Sequence, residues 1–117
     1  MAAPFDLNIR HLRAISAIVR HGSMSAAAEA VSLSQPALTQ GLAVEAAPHG
    51  IQVNCVAPGP TDTPLMTAEM RDPAYVDSLV LQRLVAPEEI AATVLFVTRG
   101  AHNLVGQVIS PNAGAVV

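Results

Sequence analysis

The sequence has no lysine and no tryptophan, one cysteine, one tyrosine and two phenylalanines in 117 residues, and each shortage excludes something. A single cysteine, Cys55, rules out an internal disulfide framework. With no lysine, six arginines carry all the formal positive charge against nine acids, for a net charge of -3, so general attraction to phosphate is not how this chain works. No apolar run approaches the roughly 20 residues that span a bilayer. The opening residues, MAAPFDLNIR, lack the apolar core of a secretory signal, so the expected location is the cytoplasm, away from membranes. Charged residues are scarce too, at 13% against 51% hydrophobic. A surface so short of charge leaves apolar area for a subunit contact, and we expect a homo-oligomer, with a dimer as its simplest form. The length suits one compact domain, or a small domain with a subdomain.

What is present is patterned. Leu12, Ile15, Ile18 and Val19 form one stripe of a helix over Leu7 to Arg20, which His21-Gly22 ends. Ser23 is placed to cap a helix over Ser25 to Val31, where Ala26, Ala27 and Ala28 allow a neighbour to approach closely. Ser32 or Ser34 caps a third helix, from Gln35 to about Ala47, with Pro36 in its first turn and Pro48-His49-Gly50 as its stop. Ile51 to Ala57 reads as a buried strand running into Pro58-Gly59-Pro60, with Cys55 as a small buried hydrophobe inside it. Short helices are expected over Thr63 to Met70 and Ala74 to Leu81, a longer one from Pro87-Glu88-Glu89 to Val97 or Thr98, and a last strand over Gly106 to Ser110. Strand, helix and strand make a parallel crossover unit.

Two stretches resemble known families. LNIRHLRAISAIVRHGSMSAAAEAVSLSQPALTQ, residues 7 to 40, resembles the helix-turn-helix of LysR-type transcription regulators. That resemblance implies a DNA-reading helix in which Ser34, Gln35 and Thr39 reach bases and phosphates. GLAVEAAPHGIQVNCVAPGPTDTPLM and PEEIAATVLFVTRGAHNLVGQVISPNAG, within residues 41 to 114, resemble the C-terminal third of a short-chain dehydrogenase/reductase. This second resemblance implies that Pro58, Gly59 and Thr63 are the remnant of a loop beside the nicotinamide of NAD(P). Asn112-Ala113-Gly114 stands where Asp-Gly-Gly is common in that family. The glycine-rich turn that receives a pyrophosphate is missing from the sequence, and so is the Tyr-x-x-x-Lys pair, since Leu79 lies four residues after Tyr75, the only tyrosine.

The expected fold is therefore mixed α/β: a three-helix helix-turn-helix-like segment, residues 1 to 40, fused through a long helix to a small β-α-β unit of a truncated Rossmann-type fold, residues 41 to 117, and completed by oligomerisation. Both inherited functions read as incomplete. No NAD(P) is expected to bind, DNA binding is expected to be weak or lacking, and a functional NAD(P)-dependent dehydrogenase is not expected. The chemistry left to such a chimera is a metal site built from His21, His49 and His102, holding zinc or another divalent ion. Its bound water would attack a small-molecule substrate, an activated ester or phosphotriester, in a metal-dependent hydrolysis. The alternatives are a weak LysR-type DNA-binding module and an inert short-chain dehydrogenase fragment.

Overall fold

The computed structural model describes residues 9–31 and 34–115. They form two compact units. The first holds the chain up to Cys55 together with Leu104–Val108, and the second holds Val56–Asn103 and the residues from Ile109 onward. The 40/41 division expected from the sequence lies inside a helix of the first unit.

Three helices build the first unit: α1 (Ile9–His21), α2 (Met24–Ala30) and α3 (Gln35–Ala46). Their ends are set by local chemistry that the sequence announces. Gly22, at φ +71°, takes the left-handed conformation and returns its N–H to the Ile18 carbonyl at 2.9 Å, closing α1. Ser23 Oγ accepts from the Ala26 N–H, and Ser34 Oγ accepts from the Ala37 N–H, each at 3.2 Å. Both serines therefore satisfy one of the orphan donors of a helix N-terminus. Ser32, the other candidate cap, lies outside the described residues. After α3 a 3-10 turn over Ala47–His49 leads to Gly50 at φ +70°, where the Gly50 N–H bonds to Ala47 O at 3.0 Å and the Ile51 N–H to Ala46 O at 3.3 Å. This paired closure is a Schellman motif, which is why the helix stops where its glycine stands.

The alanines do what their size allows. Ala17, Ala27, Ala28 and Leu38 form the buried centre of the unit, with Ile18, Val31 and Leu42 packed around it. The side chains of Leu12 and Ile15, the other half of the expected stripe, lie outside the described residues. Thr39 is fully buried beside Leu38, and its hydroxyl has no hydrogen-bond partner among the described residues. Further along the chain, Asn54 pins the returning segment: its Nδ2 donates to Leu104 O at 2.8 Å and its Oδ1 accepts from the Gln107 N–H at 3.1 Å. The Gly106 N–H reaches Val53 O at 2.8 Å.

The strands are shorter than the sequence suggests. β1 is Cys55–Val56 and β2 is Val108–Ile109, and the two pair as a two-stranded sheet. Cys55 is half-buried rather than enclosed. In the first unit the Cys55 N–H donates to Gln107 O at 2.8 Å. In the second, Ala57 donates to Ile109 O at 2.9 Å and Gly59 to Pro111 O at 3.1 Å, so the two segments advance in parallel register.

The rest of the second unit is short helices and turns. The expected helix over Thr63 to Met70 is replaced by turns and a 3-10 turn over Glu69–Arg71. The Thr63 carbonyl explains this, because it is used twice, by the Met66 N–H at 3.1 Å and by Arg71 Nη2 at 2.8 Å, in place of a helical i+4 donor. α4 (Pro73–Ser78) begins where Asp72 Oδ1 caps the Ala74 N–H at 2.8 Å and ends when Leu79, which is buried, turns extended. α5 (Pro87–Leu95) starts at a proline whose missing N–H costs nothing in a first turn, and it continues into a π-turn over Phe96–Gly100. Thr61 and Val85 form a parallel bridge, held by Asp62 N–H to Val85 O and Val85 N–H to Pro60 O, both at 2.9 Å. No helix among the described residues is long and apolar enough to cross a membrane.

The orphaned hydroxyl of Thr39 gives a direct test of the first unit's packing. Valine keeps the shape and removes the desolvated oxygen, so Thr39→Val is expected to raise stability by about 1 to 2 kcal/mol, read as a higher urea midpoint with an unchanged slope. A lowered midpoint would mean that the hydroxyl is partnered in solution.

Candidate functional site

The chain leaving β1 enters a Pro58-Gly59-Pro60 turn, and this turn depends on its glycine. A Cβ built on Gly59 would stand 2.5 Å from both Cα and Cβ of Asn112, so the two backbones meet with no room between them. On the other side, the Thr61 hydroxyl donates to Gly59 O at 2.8 Å. Asn112 opens a tight turn of its own, in which Asn112 O accepts from the Ala115 N–H at 2.9 Å and Asn112 Oδ1 from the Gly114 N–H at 3.0 Å. Ala113 at φ +54° and Gly114 at φ +78° are both left-handed, the signature of a type I′ turn. A Cβ on Gly114 would strike the side chain of Val80, while Ala113 accepts the strain that glycine would avoid.

A pocket of about 480 Å³ opens between this loop and the segment after it. Pro58, Gly59, Pro60, Thr61 and Thr63 form one wall, and Leu65, Met66, Met70 and Tyr75 form the other. No charged side chain lines it. The nearby cation is already committed: Arg71 Nη1 donates to Asp62 Oδ1 at 2.6 Å while Nη2 holds the Thr63 carbonyl. This exposed ion pair contributes little to stability, but it fixes the wall that bears Thr63. Among the described residues the Thr63 hydroxyl has no partner. Tyr75 was legible only as the lone tyrosine, and its place in the wall depends on the turn at Asp72-Pro73 that starts α4.

The loop between α4 and α5 is fastened by a second ion pair. Arg83 meets Glu89 through two bonds, Nη1 to Oε2 at 2.8 Å and Nη2 to Oε1 at 2.7 Å, and Glu89 Oε2 also accepts the Ala86 N–H at 2.8 Å. Hydrogen bonding from Arg83 is the main cause, and the Ala86 N–H the second, that holds the Glu89 carboxyl at about 2 instead of 4.5. The same contact raises the Arg83 guanidinium.

The residues expected to read DNA are engaged elsewhere. Ser34 caps α3, Gln35 Nε2 donates to Ser25 Oγ at 2.5 Å, and Thr39 is buried. His21 lies at the C-terminus of α1, His49 in the turn after α3, and His102 in the loop after α5, all on exposed surface. Among the described residues, no group of three or more His, Cys, Asp or Glu side chains is placed to hold a metal ion. Pro58, Gly59 and Thr63, by contrast, share one pocket wall.

A pocket at the carboxyl end of a parallel strand, walled by a Pro-Gly-Pro turn, is where open α/β folds of the oxidoreductase class bind their ligands. Known proteins agree. A family model described as enoyl-(acyl carrier protein) reductase matches residues 7–115. Galactitol 2-dehydrogenase of Rhizobium johnstonii is 38% identical over 113 residues, covering 84% of this chain and 44% of the relative. NADPH-dependent aldehyde reductase 1 of Arabidopsis thaliana is 33% identical over 122 residues, covering 93% of this chain and 42% of the relative. A solved structure titled as a short chain dehydrogenase/reductase family protein superposes with a TM-score of 0.58 at 38% identity, over 68% of this chain and 33% of that one. The chain belongs to the short-chain dehydrogenase/reductase family. It spans less than half the length of these curated relatives.

Membership corrects four expectations. A metal-dependent hydrolase on zinc or another divalent ion is overturned, since the relatives are oxidoreductases and the histidines form no ligand set among the described residues. The LysR-type DNA-binding module is overturned as well, because one dehydrogenase family model runs through residues 7 to 40 and the three proposed reading residues serve capping, packing and an internal hydrogen bond. The fusion of two families has no support for the same reason. The expectation that no NAD(P) binds, and with it the exclusion of an NAD(P)-dependent dehydrogenase, does not stand beside a relative whose name is that of an NADPH-dependent reductase.

Two outcomes follow for this region. Gly59→Ala should destabilise the protein by about 1 to 3 kcal/mol, because the methyl group must push Asn112 backbone aside, and a thermal melt that stays within error of the parent would refute the close approach. The Glu89 carboxyl, held at about 2, contributes stability that is complete above the ordinary carboxylate range near 4.5 and is lost as pH falls through 2. Acid titration of the parent and Glu89→Gln should therefore show a steeper loss in the parent between these values; superimposable curves would mean the pair does not form.

Proposed function

We propose that the chain forms the nicotinamide-side part of an NAD(P)-dependent oxidoreductase acting on a carbonyl or alcohol substrate. The observation that supports this most is the shared wall of Pro58, Gly59 and Thr63, an uncharged pocket with the Thr63 hydroxyl, unpartnered among the described residues, at its edge. These residues suit a flat ring bearing a carboxamide: proline and glycine offer a smooth face and backbone carbonyls, and threonine offers one directed hydrogen bond. They do not suit phosphates, because the lining has no cation and no glycine-rich turn before a helix N-terminus occurs among the described residues. A nicotinamide held there would supply or take up the hydride. This chain's part is to seat the ring with Thr63, to exclude water with Leu65, Met66 and Met70, and to present the Tyr75 phenol along the same pocket. The names of the relatives, a galactitol dehydrogenase and an NADPH-dependent aldehyde reductase, favour the same cofactor chemistry.

Self-association belongs to this proposal. Val94, Leu95 and Phe96 at the end of α5 are 44%, 52% and 57% exposed, an apolar run that a second copy would cover.

The test is a titration of NADPH fluorescence against the whole chain, with light scattering on the same sample. Saturable binding is expected, about fivefold weaker in Thr63→Ala, as loss of one hydrogen bond of about 1 kcal/mol implies. No saturation up to about 10 mM, or binding indifferent to Thr63→Ala, would remove the proposal.

A further inference from the structure

The chain's positive charge is unevenly spent. In the second unit Arg71 and Arg83 are each neutralised by an acid, Asp62 and Glu89, while Arg99 stands alone after α5, with no acidic partner among the described residues. In the first unit Arg13 and Arg20 have no acidic partner among the described residues. Both line one pocket of about 390 Å³ between α1 and the end of α2, together with Ser16, His21 and an apolar floor of Ala17, Ala30 and Val31. The helical repeat explains the convergence, since residues seven apart differ by only about 20° around the axis, so Arg13 and Arg20 rise on the same face with Ser16 and Ala17 between them. Arg20 and His21 also complement the negative end of the α1 dipole, an ordinary reason for cations in a last turn. Arg13 sits near the middle of the helix and has no such reason. Two long guanidinium arms over a small apolar floor are built for an anionic head with an apolar body.

We propose that this pocket binds a small organic anion, a carboxylate or phosphate monoester carrying a short apolar chain or ring. The guanidiniums of Arg13 and Arg20 grip the anionic oxygens, Ser16 offers a further hydrogen bond, and the ligand's apolar part covers Ala17, Ala30 and Val31. The site is separate from the nicotinamide pocket, all of its residues belonging to the first unit, and it stands or falls independently of that function.

Calorimetric titration of the whole chain with octanoate and with phenyl phosphate at moderate salt tests it, with inorganic phosphate and tripolyphosphate as controls lacking an apolar part. Expected is one site per chain saturating below about 1 mM for at least one organic anion. Arg13→Gln and Arg20→Gln should each weaken it about tenfold, the usual size for a lost charge-assisted hydrogen bond. Arg99→Gln, which removes an equal charge from the second unit, should leave it unchanged, and circular dichroism of the variants confirms that they fold. Absence of saturation, equal binding of tripolyphosphate and octanoate, or equal weakening by Arg99→Gln would overturn the proposal, since each leaves only diffuse charge attraction. Which organic anion binds more tightly separates carboxylate from phosphate.

Discussion

The second unit depends on the contact between Gly59 and Asn112, two backbones closer than any side chain permits. Because Gly59 has no Cβ, its N–H can reach Pro111 O and continue the parallel register that starts in β1. Asn112 is thereby held where its side chain and carbonyl organise the turn to Ala115. That turn presents the Ala113 carbonyl to the Leu81 N–H at 3.0 Å and brings Gly114 against Val80, which fixes the end of the segment beyond α4. The Thr61 to Met70 wall follows from the same origin, since Pro60 and Asp62 both bond to Val85. Few apolar side chains are buried here, Leu79, Val85, Ala101 and Ala113 among them. Close backbone approach, more than a large core, gives the pocket its shape.

Charge plays a positional part in this arrangement. An isolated exposed ion pair contributes little, yet both pairs of the second unit are tied into backbone as well. Arg71 bonds the Thr63 carbonyl in addition to Asp62, and Glu89 accepts the Ala86 N–H in addition to Arg83. Each links the ends of a turn that lacks a hydrophobic anchor. Arg71 and Asp62 are thus paired with each other beside the pocket, whose lining carries no charged side chain.

Local chemistry was the part most legible in the sequence. Ser23 and Ser34 cap, Gly22 and Gly50 stop helices, and Pro87 opens one, because each of these acts within four residues of itself. The small-residue run at Ala26 to Ala28 correctly pointed to close helix packing, with Ala27 and Ala28 buried. Errors came where a residue answers to a distant partner. The helix expected over Thr63 to Met70 has adequate propensity, but Arg71 and Met66 take the Thr63 carbonyl, and the helix does not form. The strand expected over Ile51 to Ala57 shortens because Asn54 spends its side chain on Leu104 and Gln107 and the ladder begins only at Cys55.

The candidate site divides along the same line. Pro58, Gly59 and Thr63 were identified through one contiguous motif and do line one pocket, while Met66, Met70 and Tyr75 join them through turns that no local pattern encodes. His21, His49 and His102 lie far apart in the sequence, and no spacing rule brings them together; among the described residues they form no ligand group. Histidine near a turn needs no ligand to be stable there: His21 and His49 sit at C-terminal ends, where a basic side chain suits the helix dipole. Ser34, Gln35 and Thr39 teach the same lesson from the other direction. A polar residue at the start of a helix has its own helix to satisfy first: here capping and a hydrogen bond to Ser25 occupy Ser34 and Gln35, while Thr39 is enclosed in the core, out of reach of any outside partner. The Thr63 hydroxyl and the guanidiniums of Arg13 and Arg20, by contrast, have no such local partner among the described residues.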